Sequence, residues 1–246
     1  MQNFRPSFNT IPPVVKNLII INSIMLFVTY VLEMRDIKLT SILGLHYFES
    51  PDFRPYQLVT HLFMHGGLMH LVFNMFALWM FGRVLESVWG PRRFFIYYFV
   101  TGLGAAALHS FVNYIEFHAL ASKMLPEAVQ MVMSQGPEIF DQGKNFTDPD
   151  SGKLNLLLNI PTVGASGAVF GVLLGFGMLF PNTQLMLLFP PIPIKAKYFV
   201  MGYGAIELFS GIANTGSNIA HFAHLGGMLF GFFMIKYWNK HTTNFY

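Results

Sequence analysis

Apolar positions along the chain fall into six long runs separated by more polar segments. The runs lie at residues 14–32, 67–85, 94–114, 163–180, 196–213 and 217–238. Each is close to the roughly 20 residues that a helix needs to cross the hydrocarbon core of a bilayer. The pattern predicts an all-α membrane protein with six transmembrane helices, forming one domain over residues 1–246 with long outer loops at 34–66 and 115–162.

Composition supports a membrane protein. Hydrophobic residues make up 53% of the 246 residues and charged residues only 11%, whereas soluble domains carry about 25% charged residues. The first run is predicted to be a retained span and not a signal peptide, because no A-x-A-like cleavage site follows it and Glu33, Arg35 and Asp36 come at once. The absence of cysteine excludes disulfides, thiolate metal sites and a cysteine nucleophile.

The distribution of cations predicts the orientation. With a cytoplasmic N-terminus, nine of the fifteen Lys and Arg residues fall in the inside segments, most of which are short. The positive-inside rule therefore places both termini in the cytoplasm. The net charge of +3 reflects this topology. No basic patch is interleaved with aromatic residues, so a nucleic-acid partner is not expected.

Polar residues recur near one end of three predicted spans. The second span presents His70 and Asn74, which are four residues apart and share a helix face. The fourth span opens at Ser166, and the sixth presents His221 and His224 within about two turns of its start. Unsatisfied polar groups cost several kcal/mol in hydrocarbon. We therefore expect these side chains to face one another or a wet cavity.

Small residues repeat every four positions along the fourth and sixth spans. They are Gly167, Gly171 and Gly175 on the fourth, and Ala223, Gly227 and Gly231 on the sixth. Such ridges let helix backbones approach closely in a membrane, and their contact would bring Ser166 and His224 together. Alternatively, Ser166 is only a small packing residue bonded back to a carbonyl. The presence of His70 and Asn74 at the same depth favours a nucleophile.

Four short motifs occur in order on these spans. They are "HGGLMHLVFN" with His70 and Asn74, "GRVLESVWG" with Gly82, Glu86 and Gly90, "GASG" with Gly164, Ser166 and Gly167, and "AHLGGMLFG" with His224, Gly227 and Gly231. Together they resemble the rhomboid intramembrane serine proteases, from about residue 50 to 235. The resemblance implies a six-helix rhomboid-like bundle in which Ser166 is the nucleophile, His224 is the base and acid, and His70 and Asn74 lie on the oxyanion side.

The residues themselves indicate how such a pair would work. A serine hydroxyl is a weak nucleophile until a base takes its proton, and His224 is the base that the packing places beside Ser166. Neither Glu86 nor Glu207 is obviously placed to orient His224, so a dyad without a carboxylate is expected. Phe170, one turn beyond Ser166, is expected to stack on the imidazole instead.

An oxyanion needs donors. The candidates are the Ser166 backbone N–H at a helix start, the Asn74 carboxamide and His70. Gly164 would provide a tight turn into the helix, and Gly167 would give a substrate strand room to approach.

Other polar residues receive structural interpretations. His61 and His65 have the spacing of a zincin motif, but Leu62 stands where its glutamate should be, so no metal or cofactor is expected. His65 is assigned a supporting role, and His221 a place in a polar network, with catalytic base a distant alternative. Glu207 is expected to bond to a neighbouring helix.

Three loop segments carry further expectations. Residues 211–218, "GIANTGSN", are predicted to be a mobile lid. The segment "ASKMLPEAVQMVM" is amphipathic and could lie on the membrane surface. The 34–66 loop is embedded sideways in the membrane in the family that the chain resembles, although Phe53-Arg54 stands where that family often has Trp-Arg.

The sequence predicts a serine protease that cleaves single-span membrane proteins in or near their spans, within a lipid bilayer. Alternatively, the chain is a catalytically inactive rhomboid-like protein that binds or escorts membrane clients. A transporter is disfavoured because neither an inverted repeat nor a broken pair of helices is visible. The lack of cysteine and of a targeting segment favours a bacterial inner membrane.

Overall fold

The computed structural model describes residues 11–186, 191–213 and 220–241. The first half of the chain contains α1 (Pro13–Glu33), α2 (Leu39–Leu43), α3 (Gln57–Thr60), a 3-10 turn (His61–Phe63), α4 (Leu68–Ala77), a π-helical turn (Leu78–Gly82), α5 (Arg83–Trp89) and α6 (Pro91–Ala121). The second half contains α7 (Pro126–Asp141), α8 (Pro149–Asn159), α9 (Ser166–Leu179), the antiparallel hairpin β1 (Gln184–Met186) and β2 (Pro193–Lys195), α10 (Ala196–Ala213) and α11 (Ala220–His241).

The structure is a helical membrane bundle. Within the described residues, three helices are long and apolar enough to cross a bilayer: Pro13–Glu33, Leu68–Trp89, which joins α4, the π-helical turn and α5, and Pro91–Ala121. Helix α9 is apolar but shorter. Large apolar side chains such as Phe27, Phe73 and Phe209 are about two-thirds exposed or more, as expected where lipid replaces water.

Each predicted apolar run contains a helix in its described part, and the run 196–213 begins at the first residue of α10. The third span was predicted too short, since α6 continues to Ala121. The 115–162 segment is also more ordered than a loop, because α7 and α8 lie within it. These helices share a second small core: Tyr47, Phe117, Val132, Leu154 and Leu158. The amphipathic segment therefore buries one face against α8.

Helix α6 packs against the parts of α9 and α11 that follow Gly167 and Gly227. The hydroxyl of Tyr97 donates a hydrogen bond to the Gly171 carbonyl at 2.7 Å. The space that a side chain on Gly171 would need is filled by Thr101, and Tyr97 fills the space at Gly231. Beyond Gly167 and Gly227, the nearest neighbours of the ridge residues Gly171 and Gly231 are therefore side chains of α6.

Glu86 of α5 caps the start of α1. Its carboxylate oxygens accept hydrogen bonds from the backbone N–H groups of Val14 and Val15, at 2.9 and 2.8 Å. The side chain is only 2% exposed. A helix N-terminus has free N–H groups and a positive partial charge. The buried carboxylate accepts hydrogen bonds from these groups and neutralises this charge.

The Glu86→Gln variant should be less stable by about 2 kcal/mol, because a neutral amide has one acceptor oxygen and no charge. Thermal unfolding in detergent would measure the loss. Glu33→Gln, at the exposed end of α1, serves as the control. Equal melting temperatures for Glu86→Gln and wild type would contradict the capping role.

Candidate active site

Ser166 is the first residue of α9, and the turn before it is held by backbone contacts. Gly164 has φ of +131°, a conformation that residues with a side chain rarely adopt. Its N–H donates to the His61 carbonyl at 2.9 Å. The neighbouring Thr162 pairs with Leu45 through two backbone hydrogen bonds of 2.8 and 2.9 Å. The chain thus enters α9 with Ser166 at a fixed position.

Helices α9 and α11 touch at backbone distance next to Ser166. A side chain on Gly227 would collide with the Gly167 carbonyl oxygen. A side chain on Gly167 would meet Ala105 of α6 and lie 3.5 Å from the Ala223 carbonyl. The predicted ridge contact is therefore present at this end of the helices, between the residues that follow Ser166 and those that flank His224.

The imidazole of His224 lies flat against Phe170. The ring centroids are 4.0 Å apart and the planes differ by 7°, so the stacking predicted from the sequence is present. Tyr203 of α10 packs against the same phenyl ring, with centroids 5.3 Å apart. Among the residues that the structure describes, Nε2 of His224 has no hydrogen-bond partner.

Glu207 corrects the expectation that no carboxylate is placed near His224. Its Oε2 lies 2.6 Å from Nδ1 of His221 and 3.0 Å from Nδ1 of His224. The first contact is a hydrogen bond, and the second falls outside hydrogen-bond geometry. The predicted bond from Glu207 to a neighbouring helix is present. That this helix presents both histidines to the same oxygen was not predicted.

His70 lies on the other side of the serine turn. The Gly66 N–H donates to its Nδ1 at 3.3 Å, which leaves the ring hydrogen of the neutral imidazole on Nε2. A Cβ atom built on Gly164 would lie 3.0 Å from this Nε2 and 3.5 Å from the Ser166 hydroxyl oxygen. His70 Nε2–H and Ser166 Oγ therefore border the same small space, and only glycine leaves that space open.

Asn74 lies one turn along α4 from His70. Its carboxamide nitrogen donates to the His70 carbonyl at 2.8 Å, and its side chain is buried. The amide keeps a second hydrogen for another acceptor.

Buried histidines pack behind the turn that leads into Ser166. His61 Nδ1 lies 2.7 Å from the Gln57 carbonyl, and Thr162 Oγ1 lies 2.8 Å from Nε2 of His109. The ring of His65 meets that of His70 edge-on at 5.1 Å. The contact between His109 and Thr162 was not predicted from the sequence, because nothing in their local pattern shows that α6 passes behind the turn.

The sequence analysis also predicted a lid and considered a metal site. Residues 214–219 of the predicted lid lie outside the described residues, and its start, 211–213, is the last turn of α10. Within the described ranges, no group of three or more His, Cys, Asp or Glu side chains could hold a metal ion.

Acid is expected to weaken the loop that supports the serine turn. Burial lowers the pKa of His61 to about 4, and that of His65 likewise to about 4. Between about pH 6.5 and 4 the unfolded chain binds these protons more readily, so stability falls as pH falls through this window. Replacing His61 by Asn should remove about 1–3 kcal/mol of this pH dependence.

Melting temperatures at pH 7.5 and 5 would measure the effect. His118→Asn, at an exposed position of α6, is the control. The same acid sensitivity in His61→Asn as in wild type would contradict the assignment.

The fold and the site define a class of protein: a helical membrane bundle with a serine and a histidine on facing helices. Sequence comparison identifies the family within this class. The Rhomboid domain matches residues 52–240. Since the match covers most of the chain, the chain belongs to the rhomboid family. Its multi-pass membrane nature follows from the family and the apolar helices.

Relatives occur in organelles and in bacteria. "RHOMBOID-like protein 12, mitochondrial" of Arabidopsis thaliana is 28% identical over 87% of this chain and 55% of that protein. "Rhomboid protein 1, mitochondrial" of Saccharomyces cerevisiae is 27% identical over 69% of this chain and 38% of that protein. "Rhomboid protease GluP" of Bacillus subtilis is 26% identical over 72% of this chain and 25% of that protein. The chain thus spans about half or less of the length of these relatives.

Proposed function

We propose that this chain is a serine endopeptidase that hydrolyses peptide bonds in or near the spans of single-span membrane proteins. The observation that carries the proposal is the packing of α9 on α11. Ser166 directly precedes Gly167 of this contact, and His224 lies three residues before Gly227 with its ring stacked on Phe170. A relative whose name includes "protease" supports the same activity.

Each residue has a role in the proposed reaction. Nε2 of His224 takes the hydroxyl proton while Ser166 Oγ attacks the substrate carbonyl carbon. The Ser166 backbone N–H and the His70 Nε2–H donate to the oxyanion that forms, and Asn74 has an amide hydrogen for the same purpose. His224 then gives its proton to the leaving amine nitrogen. Water hydrolyses the acyl-enzyme by the same steps.

The substrate must expose its backbone. A carbonyl inside a helix is already hydrogen-bonded and hidden, so the cut should fall where a span unwinds easily, at Gly, Pro or polar residues. Small residues at the cut would fit the narrow space beside Gly164. The lipid bilayer is the expected setting. A bacterial inner membrane remains the proposal, and the organellar relatives make an organellar membrane the alternative.

Cleavage of reconstituted test substrates tests the proposal. Fluorescent single-span fusion proteins with Gly- or Pro-containing spans would be placed in liposomes with wild type or with Ser166→Ala. We expect a product band with wild type alone, and equal turnover by Ser166→Ala would overturn the serine mechanism.

The second candidate function is an inactive, client-binding protein. It is favoured by one observation: His224 Nε2 has no hydrogen bond to Ser166 or to any other described residue. It predicts that fusion proteins co-purify uncut with wild type and Ser166→Ala alike.

His70→Ala is expected to lower kcat by about 10²-fold, the usual cost of losing one oxyanion donor. KM should change little, because the donor acts on the charge that develops during the reaction. Steady-state cleavage of the best fusion substrate would measure both constants. An increase in KM alone would show that His70 binds substrate in its ground state.

A further inference from the structure

Glu207 is a buried carboxylate inside an apolar helix. It is 7% exposed, and α10 around it carries mostly hydrophobic residues. A buried carboxylate is strongly unfavourable unless it is paired. Its partners in the structure are the Nδ1 atoms of His221 and His224, both reached from Oε2.

We propose that Glu207 is a positioning residue that extends the Ser166–His224 pair to a Ser–His–Glu arrangement, with His221 as the group that holds the carboxylate. The inference rests on the proposed function. It assigns to this chain a third residue on α10 that orients the base.

The geometry gives Glu207 a task that stacking alone cannot perform. Phe170 fixes the plane of the His224 ring. A stacked ring can still flip by 180° about its Cβ–Cγ bond, which keeps the plane but exchanges Nδ1 with Cδ2 and Nε2 with Cε1. The contact is not a hydrogen bond, but the negative charge of a carboxylate oxygen 3.0 Å from Nδ1 favours the orientation and tautomer with the hydrogen on Nδ1. Nε2 is then the free acceptor for the Ser166 hydroxyl proton.

The carboxylate also bears on the charge that forms in the reaction. When Nε2 takes the proton from Ser166 Oγ, the ring becomes a cation with hydrogens on both nitrogens. Glu207 lies beside that cation and takes no proton from it. Its negative charge stabilises the imidazolium in a site of low polarity.

His221 holds the carboxylate in place. It precedes His224 by three residues and so lies on nearly the same face of α11. Its hydrogen bond to Oε2 is short, 2.6 Å, as is usual when a charged acceptor is involved. This bond keeps Glu207 attached to α11 beside Nδ1 of His224.

The titratable groups around this cluster come from several helices. His221 and His224 of α11 face Glu207 directly. His70 of α4 and His109 of α6 are close enough to His224 to act on it electrostatically. A change of pH profile caused by Glu207 must therefore be separated from changes caused by the other histidines.

The experiment compares Glu207→Gln and Glu207→Asp with the control Glu116→Gln, an exposed carboxylate on α6. We expect Glu207→Gln to lower kcat by about 10²-fold or more with little change in KM. The acid limb of its kcat profile should move about one unit or more to lower pH, because the cationic ring has lost its counter-charge. Glu207→Asp should restore part of kcat and the acid limb.

Two outcomes would overturn the inference. One is a wild-type kcat and acid limb in Glu207→Gln. The other is a fall in kcat with an unmoved acid limb and no recovery in Glu207→Asp, which is the result for a carboxylate that only stabilises the fold. In both cases wild-type cleavage that depends on Ser166 and His224 would leave the proposed function intact.

Histidine titration tests the inference even if no substrate is cleaved. The protein would be labelled with [13Cε1]histidine in detergent, and signals would be assigned with His221→Gln and His224→Gln. The midpoint of the His224 signal should fall in Glu207→Gln and stay in Glu116→Gln. An unmoved His224 midpoint would overturn the inference, whatever the activity.

Discussion

Replacing His224 by alanine should slow the labelling of Ser166 by a fluorescent fluorophosphonate by about 10⁴-fold or more. The reagent reacts with a serine whose proton is removed as its oxygen attacks, and His224 is the base that we propose for this step. Ser166→Ala should not label at all. The second-order labelling rate constant of protein purified in mild detergent would measure the effect without a substrate.

Phe170→Leu provides a graded comparison for His224→Ala. It keeps an apolar side chain but removes the ring on which the imidazole stacks, so the labelling rate should fall by about 10-fold, equivalent to 1.4 kcal/mol of orientation. If wild type labels no faster than His224→Ala, the serine is not activated and the client-binding function becomes the better proposal.

Adding a single methyl group at Gly227 should destabilise the fold by about 3 kcal/mol or more and abolish cleavage. The new Cβ would collide with the Gly167 carbonyl oxygen, which is backbone and cannot rotate away. Helices α9 and α11 would have to separate beside Ser166 and His224. Thermal unfolding and fluorophosphonate labelling of Gly227→Ala would measure the two consequences.

Gly202→Ala is the matched control. Gly202 also lies inside a helix, but nothing is within 4 Å of the Cβ that the substitution adds. Alanine is the better helix former by about 1 kcal/mol, so Gly202→Ala should be as stable as wild type or slightly more stable. If both variants retain wild-type stability and labelling, close backbone contact is not what positions the pair.

The helices could be predicted where apolar runs are long and bounded. The run 196–213 predicted the start of α10 because the charged Lys195 precedes it. The end of α6 was missed because Glu116 and His118 resemble the start of a polar loop. Those residues belong to a helix whose last turns, including Phe117, pack on the α7–α8 hairpin, and composition alone does not show such a partner.

The candidate site could be predicted only in part, for a related reason. Spacing within one helix relates His70 to Asn74, and a repeated small residue indicates which helix faces meet. The contact of Glu207 with His224 depends on how far α10 is rotated against α11, which no local pattern specifies. An ionisable residue inside an apolar span is a functional candidate by default, and that rule would have identified Glu207.

The second small core has a consequence for how this protein can be altered. The α7–α8 hairpin shares its apolar centre with Tyr47 and Phe117, and it leaves the bundle at Ala121 and rejoins it near Thr162, where the chain pairs with Leu45. Its far end is the turn at Gly143, with φ of +70°. A short epitope inserted at this turn would lie far along the sequence from every residue of the candidate site. Accessibility of that epitope to an antibody in intact cells would then report which side of the membrane the serine faces.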